Sequence, residues 1–145
     1  VVNRVRCKRG ASAFRADERT EAVREREAWE ELARWVADAV PAGEPLYVGA
    51  GGSLPFVHFF TGRRTMACIG VDPRVPSVLR HLASSEASFL VLDDRNWSVR
   101  RLAPALEAFP ECFALLHENQ YCSLYRVDKG RLAAAVARLT GPPGT

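Results

Sequence analysis

The chain has no hydrophobic run long enough to cross a bilayer. Its apolar stretches are strand-length, well short of the roughly 20 residues a spanning helix needs. No signal-peptide pattern opens it. No CxxC pair occurs among its four cysteines, Cys7, Cys68, Cys112 and Cys122, and its three histidines, His58, His81 and His117, are spread out. That spacing argues against a zinc site. The full GxGxxG fingerprint, the P-loop lysine and the GxSxG elbow are all missing. No serine or cysteine stands at a known nucleophile–base spacing from a histidine. The expectation is therefore no catalytic residue, no metal and no cofactor in this chain.

Acidic residues are absent from the first fifteen positions, which carry Arg4, Arg6, Lys8, Arg9 and Arg15. The whole chain is formally +3, with 20 basic and 17 acidic residues, so beyond Arg15 the acidic side chains outnumber the basic ones. The basicity belongs to the N-terminus and not to the body. A nucleic-acid-binding domain carries its basic stripe on the fold, so nucleic acid is not an expected partner. Residues 1–16 read as a flexible, solvated basic arm. The alternative is a short stretch lying beside anionic lipid. The chain opens on Val1-Val2, so the expectation is a piece excised from a longer protein.

What is present fits an ordinary globular domain: 145 residues, 48% hydrophobic and 26% charged, enough for one core. Residues 17–139 are expected to form a single α/β domain, and residues 140–145 a disordered tail. A helix capped by Asp17 or Thr20 is predicted to run to about Val40, with Ala22, Trp29, Leu32, Ala33, Val36 and Val40 on one face. Pro41 and Gly43 stop it. Leu46–Gly49 reads as a short buried strand. Ser53 is the expected N-cap of a compact helix that Gly62 closes. Arg64–Ile69 is the second strand, and a helix over Val75–Ser84 turns Val75, Val78, Leu79 and Leu82 inward.

Phe89–Leu92 is apolar on both faces, as a central parallel strand should be. A helix from Asn96 or Ser98 to Phe109 follows, kinked or broken at Pro104. Phe113–Glu118 and Tyr121–Val127 form a hairpin. If its turn centres on Asn119-Gln120, His117 faces Cys122 and Glu118 faces Tyr121. Cys112 then lies on the opposite sheet face from Cys122, which disfavours a disulfide. Cys68 and Cys112 read as small buried hydrophobes. Asp128 caps a last helix that buries Leu132, Val136 and Leu139. This order predicts a three-layer, Rossmann-like α/β sandwich with a mostly parallel five-stranded sheet. The expected strand order is 2-1-3-4-5, with the fifth strand antiparallel.

Ligands in such folds favour the carboxyl ends of the strands. The candidate ligand-binding residues are therefore Gly51, Gly52, Ser53, Asp93, Asp94 and Arg95. Backbone N–H groups of the Gly49–Ser53 loop can hold an anion, or its glycines simply permit a tight turn. Asp93 and Asp94 are neighbours and point opposite ways in extended backbone, so they are not a ready acid/base pair. One of them is suited to a ribose or sugar hydroxyl. The plainer alternative has one cap the next helix while the other pairs with Arg95.

Several segments carry a resemblance. In order they are WVADAVPAGE (Trp35–Glu44), LYVG (Leu46–Gly49), PFVHFFTGRR (Pro55–Arg64), FLVLDDR (Phe89–Arg95) and YCSLYRV (Tyr121–Val127). Together they resemble the C-terminal extracytoplasmic domain of bacterial polytopic glycosyltransferases that use lipid-linked sugars. That group is similar to the dolichyl-phosphate-mannose–protein mannosyltransferases and the lipid A aminoarabinose transferases. The helix expected after Val127 departs from that pattern.

The resemblance implies a non-catalytic accessory domain facing away from the cytoplasm at the bacterial cell membrane. Its partner would be the membrane portion of the same polypeptide, and it would lend contacts to a glycan or protein acceptor or to the sugar. The catalytic carboxylates of that family lie in membrane-portion loops, so no catalytic residue carries over. Two other readings stay open: a free-standing nucleotide- or phosphate-binding module built on Gly49–Ser53 and Asp93, and a protein-interaction domain using the hairpin edge.

Overall fold

The computed structural model describes residues 2–49, 53–67, 75–94 and 97–140; the side chains of residues 2–17, 75, 97–101 and 140 are not described. Gly51, Gly52, Cys68, Ile69, Arg95 and the segment 141–145 lie outside the described residues.

Helix α1 spans Val2–Ala39. It starts well before Asp17 or Thr20, so both sit inside it and neither caps it. Residues 2–16, expected to be an arm, continue the same helix. The physical reason is composition: the stretch is rich in Arg, Lys and Ala, all strong helix formers, and no proline interrupts it before Pro41. The face that packs is the expected one, with Trp29, Leu32, Val36 and Val40 buried, although Ala22 stands exposed.

Strand β1 is Leu46–Val48 and helix α2 is Leu54–Thr61. Gly62 ends α2 in the left-handed region at φ 66°, and its N–H donates to the His58 carbonyl at 2.9 Å. Only glycine takes that backbone without cost. Strand β2 is described over Thr65–Met66, helix α3 over Val75–Ser84 and strand β3 over Phe89–Asp93. Helix α4, Trp97–Ala108, continues through Pro104 as one element. Of the expected kink or break, the break does not occur; Pro104 faces solvent, where the partner it denies the preceding turn can be replaced by water.

Strands β4 (Phe113–Glu118) and β5 (Cys122–Val127) form the hairpin, and helix α5 covers Lys129–Thr140. Asp128 caps α5 as expected, its carboxylate accepting from the Arg131 N–H at 3.0 Å. Leu132 and Val136 are buried, joined by Ala135, while Leu139 is half exposed.

The sheet is five-stranded with order β2-β1-β3-β5-β4. This corrects the expected 2-1-3-4-5. β1 pairs in parallel with β2 and with β3, but β5 is antiparallel to both β3 and β4. The sheet is thus mixed and not mostly parallel. The hairpin folds back, so that its second strand fills the place beside β3. Cys122, Ser123 and Leu124 are uncharged and buried, whereas His117 and Glu118 on β4 face water. The strand that tolerates solvent takes the edge.

The hairpin register also differs from expectation. Glu118 faces Ser123 and His117 faces Leu124, with a bulge between Leu115 and His117. The Asn119 N–H donates to the Cys122 carbonyl at 2.9 Å, so the turn centres on Gln120-Tyr121. The Asn119 side chain explains the shift. Its oxygen accepts from the Tyr121 and Cys122 N–H groups, both at 2.9 Å, and its amide donates to the Ala28 carbonyl of α1 at 3.2 Å.

Helices cover both faces. Helices α1 and α2 pack on Leu46, Val48, Phe89, Val91, Cys122 and Leu124. Helices α3, α4 and α5 pack on Tyr47, Leu90, Leu92, Phe113 and Val127. Phe89 to Leu92 are all buried, none more than 6% exposed. Cys112 and Cys122 are free thiols in opposite cores. Burial pushes the Cys122 thiol up to about 12 and also raises Cys112. With Cys7 and Cys68 replaced by serine, neither remaining thiol should react with an aromatic disulfide reagent at pH 8 until denaturant is added. Prompt labelling of either in the native state would contradict this packing.

Candidate functional site

Strand β3 carries the two neighbouring carboxylates to the carboxyl end of the sheet, and the pleat sends them to different faces. Asp93 is 7% exposed and lies on the α2 side, where its Oδ2 accepts from the Ser53 hydroxyl at 3.0 Å. Ser53 does not cap α2 with its side chain, because its own backbone is already helical, at φ −90° and ψ −9°, where an N-cap is extended. Asp94 lies on the α4 side. Its backbone N–H donates to the Tyr121 carbonyl at 2.8 Å, which extends the β3–β5 ladder by one bond.

Asp94 borders an open cavity of about 290 Å³ whose wall includes Leu92, Leu106, Glu107, Phe113, Glu118, Ser123 and Tyr125. Burial raises the Asp94 carboxyl above its ordinary 3.8, and Asp93 and Glu118 push the same way; a hydrogen bond from Ser123 opposes them. Burial also raises the Tyr125 phenol, followed by the charges of Asp94, Glu118 and Glu107. The cavity thus holds carboxylate acceptors beside a phenol and a hydroxyl, with an apolar wall. Such a set suits polar hydroxyl- or amine-bearing ligands and repels phosphate.

The like charges have a measurable consequence. A carboxyl whose folded value is raised contributes stability below its unfolded value and loses it as pH rises through the folded one. At neutral pH the Asp94 charge therefore works against the fold. Asp94→Asn should be more stable than the parent at pH 7, by about 0.5 kcal/mol given the screening at an exposed carboxylate. The gap should close as pH falls toward 3.8. Urea titrations across that range check both the sign and the trend.

Of the six expected ligand residues, the described ones are Ser53, Asp93 and Asp94. They do not converge on one spot, because the first two are spent on each other and only Asp94 opens into the cavity. Glu107, Glu118, Ser123 and Tyr125 were not expected there. Ser123 and Tyr125 alternate on one face of β5, and Glu118 faces Ser123 across the hairpin. That signal becomes readable only once β5 is placed against β3.

The histidines sit apart from one another. His58 Nδ1 is 2.8 Å from the Arg63 carbonyl, His81 Nδ1 is 2.9 Å from the Tyr47 hydroxyl, and His117 stacks on Trp35. Among the described residues no His, Cys, Asp and Glu side chains group as metal ligands, and no helix is long and apolar enough to cross a membrane. No family model, no curated protein and no solved structure matches this chain.

Proposed function

We propose that this chain is the water-exposed C-terminal domain of a polytopic bacterial membrane glycosyltransferase that uses a polyprenyl-phosphate-linked sugar. In this reading it lends acceptor or sugar contacts on the extracytoplasmic side, and the membrane portion of the polypeptide makes and breaks the bonds. The observation that carries the site assignment is the cavity at the end of β3, where Asp94 and Glu118 stand beside Ser123 and Tyr125. Carboxylates and hydroxyls are the groups that hold sugar hydroxyls. The kinship itself rests on the ordered segments, which occupy the end of α1, then β1, α2, β3 and the returning strand β5.

The nucleotide alternative is weaker on physical grounds. A buried carboxylate, Asp93, sits against Ser53 at the start of α2, where a phosphate would meet like charge.

The test begins with the complete reading frame. It should encode several membrane-spanning helices ahead of Val1, and membranes carrying it should transfer labelled sugar from a polyprenyl phosphate donor. The 145-residue chain alone should transfer none. A reading frame with no spanning helix, or membranes that leave the donor intact with every acceptor offered, would overturn the proposal.

A further inference from the structure

We draw no further inference here: the strongest candidate, the apolar face of helix α2 on which Phe56 and Phe59 stand 51% and 79% exposed, carries none because nothing in the structure shows what covers it.

Discussion

Replacing Gly49 by alanine should destabilise the chain by about 2 kcal/mol, within the range of overpacked cores. Gly49 follows β1, and its N–H donates to the Val91 carbonyl at 3.0 Å, so its backbone is fixed against β3. A Cβ there would lie 2.4 Å from Leu92 Cδ2 and 3.2 Å from Leu102 Cδ1. Leu92 and Leu102 are 2% and 5% exposed, so both are packed side chains that must shift to admit the methyl. Glycine is needed here because the Leu92 side chain of β3, and behind it Leu102 of α4, lie over its Cα, and not for an unusual φ.

A double-mutant cycle separates this cause from others. Leu92→Ala alone should cost roughly 2–5 kcal/mol, but combining it with Gly49→Ala should cost clearly less than the two added together, because the new methyl fills part of the space vacated. Strict additivity in urea denaturation would show that Gly49 matters for some other reason. Gly62 provides the contrast, since a Cβ there meets nothing within 4 Å and only its φ of +66° resists substitution. Asparagine should be better tolerated than alanine at Gly62, and no such preference should appear at Gly49.

Lys129→Met should cost about 2–3 kcal/mol. The Lys129 ammonium reaches from the start of α5 to the end of α3. It donates to the carbonyls of Leu82, Ser85 (2.8 Å) and Ala87 (2.9 Å), and to the Ser85 hydroxyl at 3.2 Å. The last carbonyls of a helix have no partner within it, and a cation there also opposes the negative end of the helix dipole. Methionine keeps most of the apolar stem and removes every donor, leaving half-buried carbonyls without that partner. The midpoint of thermal unfolding should fall by roughly 6–10 °C. Arginine should restore only part of the loss, because its planar fork does not reproduce donors converging from one point. A Lys129→Met variant that melts with the parent would show that the lysine does not clamp α3 to α5.

The parts of the fold that sequence made legible are those governed by local pattern. Phe89–Leu92 announces a strand buried on both faces, and Gly62 and Asp128 mark their helix ends by backbone and capping chemistry alone. The strand order escaped because it is decided by competition between non-local pairings. Both strands of the hairpin are apolar enough to lie beside β3. What separates them is His117 and Glu118, which suit an edge, and Asn119, whose bond to the Ala28 carbonyl ties the turn to α1. The site inherits that difficulty. Asp94 is readable as a strand-end carboxylate, but Glu118, Ser123 and Tyr125 join it only because β5 lies next to β3. Ser53 escaped for a different reason. It has the sequence position of an N-cap, but its backbone is already helical and its hydroxyl donates to a carboxylate forty residues away.

The most direct measurement of the central claim is steady-state sugar transfer by membranes carrying the complete protein with Asp94→Asn and Glu118→Gln together. If the cavity at the end of β3 holds acceptor or sugar without taking part in bond making, KM for the ligand held there should rise by about tenfold, the loss of one or two charge-assisted hydrogen bonds. The turnover number should stay near that of the parent. Unchanged KM and kcat would show that the cavity is not used. A collapse of kcat at constant KM would place bond-making chemistry in this domain and contradict a purely binding role.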